Sequence, residues 1–261
     1  MKKALCALIA LVMTGVMCLG FTGCQSKSSG TFTVGFDKSF PPMGFVDGNG
    51  NYVGFDLDLA QEVAKRLGLE YKAQPIEWDF KKTELETGNV DCIWNGFTMT
   101  GRESEYTWSK PYLNNQQVFI ILADASYTDK ASLAGATVAV QEDSSAQAAI
   151  NKDENQSFTT TLKNVIATPT NLDALMELDT KKVDAVLMDE VVARYNMEQN
   201  PGKYKVLDEP LAAEQYAIGF NLGNTELCDK VNKTLQEMTE DGTMKKISEK
   251  WFGKDITIFG K

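Results

Sequence analysis

Ten residues of this chain occur twice in nearly the same pattern. Leu85-Glu86-Thr87-Gly88-Asn89-Val90-Asp91-Cys92-Ile93-Trp94 returns as Leu178-Asp179-Thr180-Lys181-Lys182-Val183-Asp184-Ala185-Val186-Leu187. Each copy reads as a helix end, a two-residue turn, then Val-Asp and apolar residues entering a buried strand. The copies lie roughly 93 residues apart, too far for a solenoid repeat. The echo therefore predicts two lobes of similar build, each supplying a strand that ends at a shared cleft. Ligands of open α/β sheets sit beyond the carboxyl ends of strands. That rule singles out Asn95-Gly96-Phe97-Thr98 after the first copy and Met188-Asp189-Glu190 after the second.

The flanking segments alternate between strand and helix. Phe32 to Phe36 and Tyr52 to Phe55 read as strands. Asp56 then reads as the cap of a helix with the apolar stripe Leu57, Ala60, Ala64 and Leu67, stopped by Gly68. A strand is expected from Leu69 to Ala73, a helix from Asp79 to Thr87, and strands at Val90–Trp94, Val138–Val140 and Ala185–Met188. Such βαβ alternation implies mainly parallel sheets flanked by helices. The C-terminal part is helical, with Leu227, Val231, Leu235 and Met238 on one face, a break at Gly242, and Met244, Ile247 and Trp251 on the next.

Composition narrows the chemistry. Of 261 residues, 26 are Lys or Arg and 36 are Asp or Glu, for a net charge of -10, and none is histidine. A nucleic-acid partner is disfavoured, because such binding runs on clustered basic residues. Without histidine there is no Ser-His-Asp or Cys-His catalysis, and the commonest zinc ligand is missing. No cofactor fingerprint or metal-ligand spacing is present, so neither a cofactor nor a metal is expected. The N-terminus is an address: Met1-Lys2-Lys3 precedes an apolar run from Ala4 to Phe21, as in a secretory signal. After Cys6, Cys18 and Cys24 of that region, only Cys92 and Cys228 remain. Whether those two are bridged is left open by sequence.

Five short motifs follow one another in order: Gly54-Phe55-Asp56-Leu57-Asp58-Leu59-Ala60, Gly88-Asn89-Val90-Asp91, Thr98-Met99-Thr100-Gly101-Arg102-Glu103, Trp108-Ser109-Lys110-Pro111-Tyr112, and the stretch from Gly242 to Gly253. With them, residues 31 to 253 resemble the extracytoplasmic substrate-binding proteins of polar amino-acid ABC transporters. The resemblance implies a type II periplasmic-binding-protein fold, α/β and two-lobed, with two crossing segments near Asn114–Val118 and Gln215–Phe220. Its implied organisation is a lipoprotein signal peptide at 1–23, a tether at 24–30, lobe one at 31–114 and 216–261, and lobe two at 115–215. Phe21-Thr22-Gly23-Cys24 looks like a lipobox, so Cys24 is the expected lipidation site and membrane anchor.

A free amino acid is a zwitterion, and its receptor needs an anion site and a cation site a few ångströms apart. Arg102 is the natural carboxylate partner, since its guanidinium fork matches a carboxylate. By resemblance Arg102 takes the α-carboxylate, with Gly96 and Thr98 lining the pocket beside Asn95 and Phe97. The family usually has two residues between its second Thr and this Arg, where only Gly101 intervenes here, which leaves the reach of Arg102 open. Gln141-Glu142-Asp143-Ser144-Ser145 turns into a helix, and Ser144 and Ser145 could complete the anion site or simply cap. Asp143 stands where relatives often have Gly. Asp189 matches the family's α-ammonium ligand, and Phe40 and Trp78 match rings that sandwich the ligand side chain. Asp37 lies where relatives read the distal group; an acid there suits arginine, lysine, histidine or ornithine, or a glutamine amide.

Two other signals are discounted. Asp47-Gly48-Asn49-Gly50-Asn51 begins like a calcium loop but lacks its glycine and its final glutamate, so a hairpin turn is expected. Asp56 and Asp58 suggest a catalytic pair, but helix capping accounts for them. The expected function is thus a non-catalytic, monomeric receptor serving ABC permease subunits. The alternative is a carboxylate-dependent dehydratase or peptidoglycan-cleaving enzyme on the same fold. Lacking histidine, such a receptor is expected to bind with little pH dependence between about pH 6 and 8.

Overall fold

A computed structural model describes residues 30–261. The expected signal peptide, and Cys24 with most of its tether, lie outside those residues. Strand β1 (Thr31–Phe36) opens lobe one, followed by β2 (Ser39–Phe40), β3 (Gly44–Val46) and β4 (Tyr52–Val53). The last three form a small antiparallel sheet whose β3–β4 hairpin closes over Asp47, with Oδ1 accepting from the N–H groups of Asn49 and Asn51. Helix α1 spans Phe55–Leu67 and ends on Gly68, at φ 72, as the left-handed cap that glycine adopts without steric cost. The strand expected up to Phe55 is shorter, because Phe55 already belongs to α1. Gly54 precedes the helix with no side-chain cap, so Asp56 is not a cap; it is fully buried inside the first turn.

The chain continues through β5 (Glu70–Pro75), a 3₁₀ turn at Trp78–Phe80, α2 (Lys81–Glu86), β6 (Cys92–Ile93) and β7 (Thr107–Trp108). Strand β8 (Leu113–Leu122) then enters lobe two, where β9 (Thr137–Gln141), α3 (Ser145–Asn151), α4 (Gln156–Thr159), β10 (Asn164–Thr168), α5 (Asn171–Asp179), β11 (Ala185–Asp189), α6 (Glu190–Gln199) and β12 (Tyr204–Val206) follow. Strand β13 (Ala212–Tyr216) leads back, β14 (Gly219–Phe220) joins the first sheet, and α7 (Thr225–Glu240) and α8 (Thr243–Phe252) pack on α1.

The two sheets run β5-β1-β6-β14-β7 and β10-β9-β11-β8-β12, with β13 beside β8. Parallel pairing is confined to the βαβ heart of each: β1 with β5 and β6, and β9 with β10 and β11. The strands connected with the crossings, β8, β13 and β14, pair antiparallel, because they enter each sheet from the hinge side against the strands already there. Parallel strands buried on both faces read as apolar runs, and β9 and β11 are buried throughout.

The echoed segments have one geometry. Gly88 and Lys181 both adopt positive φ, 72 and 56. Asn89 N–H donates to Glu84 C=O at 3.0 Å, and Lys182 N–H to Glu177 C=O at 2.9 Å. Asp91 then clamps β1: its N–H donates to Thr33 C=O at 2.8 Å and its Oδ2 accepts from Thr33 N–H at 2.6 Å. Asp184 does the same to β9 through Thr137, at 2.8 Å for both bonds. The Asp of each Val-Asp pair thus sets the register of two parallel strands. As a result Gln141 and Asp189 end their strands, and Asp37 and Asn95 follow the carboxyl ends of β1 and β6.

Candidate functional site

Between those strand ends lies a small, narrow cavity lined by Phe40, Trp78, Gly96, Thr98, Arg102, Gln141, Ser144, Ser145 and Asp189. Its walls come from both lobes. Three further sequence candidates stand apart from that lining. Asp37 lies behind it, joined through Gln141. Asn95 is buried with neither side-chain polar atom hydrogen-bonded. Phe97 turns into lobe one, packing edge-on with Trp78 and Tyr106 at ring separations of 5.4 and 5.1 Å and tilted against Trp108 at 4.7 Å. Gly96 sits at φ 57, where a Cβ would lie 2.9 Å from Phe40 Cε1 and 3.0 Å from Tyr216 Cε2. Both conformation and space therefore demand glycine there.

Asp189 ends β11, and its carboxylate makes no helix-capping bond. Its Oδ1 instead accepts from Asn115 Nδ2 at 2.8 Å, Gln117 Nε2 at 2.8 Å and Tyr216 Oη at 2.6 Å. Glu214 on β13 is the unexpected neighbour. Its Oε1 accepts from the same two amides, at 2.7 and 2.8 Å, and from Thr98 Oγ1 at 2.9 Å. Ser145 Oγ completes the group, 3.0 Å from Gln117 Nε2 and 3.2 Å from Thr98 Oγ1. Burial, reinforced by the negative charge of Glu214, pushes the Asp189 carboxyl well above the usual carboxylate range. Among the described residues no Lys or Arg forms an ion pair with either acid.

At the other end Asp37 is 4 % exposed. It accepts from Ser39 N–H at 2.7 Å and from Gln141 Nε2 across the cleft at 2.8 Å. Gln141 is held in turn by Asn171 Nδ2, which donates to its Oε1 at 3.1 Å. Burial raises the Asp37 carboxyl, partly offset by those two donors. Among the described residues this end too has a carboxyl group with no ion-paired partner.

Arg102 lines the cavity from a tight turn closed by its N–H to Met99 C=O at 2.9 Å. Its guanidinium lies 5.7 Å from the Phe97 ring centroid and donates to Thr98 C=O at 3.4 Å and Asp143 C=O at 3.2 Å. Asp143 belongs to lobe two and adopts φ 52, a conformation glycine takes without strain. Its carboxylate is ion-paired with Lys81 of lobe one, a side chain only 3 % exposed, and burial pushes the Lys81 ammonium down from its ordinary value. Ser144 Oγ accepts from Gln147 N–H at 3.1 Å and donates to Gln141 C=O at 2.7 Å, so it caps α3.

Beneath the cavity Asp56 Oδ2 accepts from Gly96 N–H at 2.6 Å and Tyr112 Oη at 2.8 Å. Complete burial drives its carboxyl up to about 7. Burial thus brings one carboxyl, that of Asp56, into the range where the missing histidines left no titrating side chain. Asp58 has no share in this site: it meets Lys250 Nζ at 2.6 Å and Trp251 Nε1 at 2.7 Å.

Sequence reading missed Asn115, Gln117, Glu214 and Tyr216. A signal existed. In β8 every second residue from Leu113 to Phe119 is buried, polar side chains occupying two of those four positions, and buried Glu214 and Tyr216 flank exposed Gln215 in β13. Alternation between the apolar Leu113 and Phe119 would have turned Asn115 and Gln117 inward.

Known proteins share this arrangement over almost its whole length. TcyA, the L-cystine-binding protein of Bacillus subtilis (strain 168), is 30% identical over 275 residues, covering 98% of this chain and 100% of its own. An ABC uptake transporter substrate-binding protein from Streptococcus pneumoniae, solved with bound histidine, superposes with a TM-score of 0.84 at 34% identity, covering 87% of this chain and 94% of its own. The structure of Tv2483 bound to L-arginine gives a TM-score of 0.83 at 30% identity, covering 88% and 94%. The model of the bacterial extracellular solute-binding proteins, family 3, matches residues 32–254, and the chain belongs to that family.

Proposed function

We propose that the protein is a non-catalytic receptor that binds a polar L-amino acid, preferably one with a cationic side chain, between its lobes and delivers it to the permease subunits of an ABC importer. Residues 31–114 and 216–261 make lobe one in this reading and 115–215 lobe two. The mature monomer is held at the membrane by lipid on Cys24. No helix of the described residues is long and apolar enough to cross a membrane.

One observation carries the reading. Asp189 lines the cavity beside Arg102, Glu214 shares its amide donors from the hinge side, and Asp37 stands behind the lining through Gln141; each is less than a tenth exposed, and among the described residues none has an ion-paired base. A buried charge is costly until paired. A zwitterion with a second positive group meets that demand: its ammonium at Asp189 and Glu214, its carboxylate at Arg102, its distal cation at Asp37 between Phe40 and Trp78. The relatives named above bind cystine, histidine and arginine, which supports an amino-acid ligand. Calorimetry with the twenty amino acids, ornithine and cystine tests this on protein stripped of ligand by unfolding and refolding. Micromolar or tighter binding is expected for a few polar L-amino acids, with arginine, lysine or ornithine ahead of glutamine. No heat across the panel would sink the proposal.

A further inference from the structure

The carboxylates of Asp189 and Glu214 converge on shared donors. Asn115 Nδ2 and Gln117 Nε2 each reach Asp189 Oδ1 and Glu214 Oε1, at distances between 2.7 and 2.8 Å. In β8 and β13 the register sets Asn115 directly opposite Glu214, so the pairing is built into the hinge strands rather than left to flexible loops. Two acids held this closely, 4 % and 7 % exposed, cannot both ionise without a counter-charge. We propose that Asp189 and Glu214 hold one proton between them in the ligand-free receptor and release it when an α-ammonium enters, which makes Glu214 the residue that couples binding to pH. This rests on the receptor reading given above.

The balance is simple. One carboxyl O–H bond breaks, and its proton passes to solvent. The incoming ammonium keeps its own protons and replaces that one as hydrogen-bond donor to the two carboxylates, which are then both ionised. Protonation and ligand compete for one place, so affinity falls as pH falls, by up to about tenfold per pH unit while the free pair is protonated and the bound pair is not.

Other groups around the pair do not supply the proton in this scheme. Tyr216 donates its hydroxyl to Asp189 at 2.6 Å, and Tyr112 lies behind it, with ring centroids 6.4 Å apart. Arg102 faces the same cavity and favours ionised acids. Glu190 borders the hollow that Glu214 also lines on the hinge side. Asp56 lies beneath Gly96, and Asp37 closes the far end of the cleft through Gln141. Asp56 and Asp37 are the rival proton donors, and the variant below separates them from the pair.

The test is titration calorimetry of L-arginine, L-lysine, L-glutamine and L-cystine into the ligand-free protein near pH 7, in phosphate and in Tris, whose ionisation enthalpies differ widely. For wild type the observed enthalpy should differ between buffers by the amount for about one released proton, and affinity should weaken by more than about tenfold from about pH 8 to about pH 6. For Glu214→Gln, which keeps shape and hydrogen-bonding capacity but removes one carboxylate from the ammonium site, binding should weaken yet stay measurable, with proton release reduced to near zero. Melting curves of the variant establish that it folds. Wild-type binding with buffer-independent enthalpy overturns the inference and leaves the receptor reading standing. Glu214→Gln releasing as many protons as wild type also overturns it, by moving the proton to Asp56 or Asp37. No binding of any of the four ligands overturns the receptor reading, and this inference with it.

Discussion

Asp56 shows how far a single side chain can depart from its sequence role. Its place in the first turn of a helix suggests capping, yet its carboxylate props up Gly96 N–H and Tyr112 Oη from within the core. Burial raises its carboxyl to about 7, above the unfolded value, so between about pH 4 and 7 the folded state holds a proton that the unfolded state has lost. Stability from this group is therefore fully present at low pH and is lost as pH rises, at up to about 1.4 kcal/mol per unit. Asp56→Asn lacks this dependence. Its melting temperature should gain on wild type between about pH 5 and 7.5, and an unchanged difference between the two melting curves would rule the assignment out. Asp189 gives a second expectation. Removing one partner of a buried ion pair costs about 2–5 kcal/mol of binding, and Glu214 remaining beside the ammonium places Asp189→Ala at the lower end. Affinities of Asp189→Ala, Glu214→Ala and the double variant would show this as non-additive losses.

Among the elements, the echoed helix–turn–strand units carry the two-lobed build. A backbone hydrogen bond to a charged carboxylate contributes about 1.5–3 kcal/mol, and Asp91 and Asp184 each receive one from the neighbouring parallel strand. Asp91→Ala and Asp184→Ala should each destabilise by about that amount, each in its own lobe. Amide hydrogen exchange distinguishes them: protection should fall around β1 and β6 in the first, and around β9 and β11 in the second. These Asp residues were legible from sequence because the unit is local, with turn, Asp and strand in ten consecutive residues. The shortest strands were less so. Strands β2, β7 and β14 have two residues each, too few for a period-2 pattern to register.

For the whole molecule, closure over the cavity is fastened at its rim by Lys81 of lobe one and Asp143 of lobe two, with Arg102 adding a bond to the Asp143 carbonyl. Opening the lobes breaks this pair. Asp143→Gly suits the local φ and should leave the melting temperature close to wild type. It strands Lys81 only in the closed form, so the ligand-free ensemble should open. Small-angle scattering should then give a larger radius of gyration than wild type without ligand and the same one with it, and affinity should weaken by about tenfold through the smaller closed fraction. Equal radii without ligand would show that the pair does not hold the lobes.

By itself the sequence determined the alternation of strands and helices, the doubling of a βαβ unit, the family, and the strand-end candidates Gly96, Thr98, Gln141 and Asp189. All of these follow from patterns within a few consecutive residues. Only the tertiary structure decided which charges meet. Glu214 and Asn115 are 99 positions apart, Gln141 and Asp37 are 104 apart, and Lys81 and Asp143 are 62 apart. Their pairing depends on strand register and lobe closure, which local periodicity does not encode. The same holds for the carboxyl groups of Asp56 and Asp189, whose proton affinity is set by burial among residues remote in sequence.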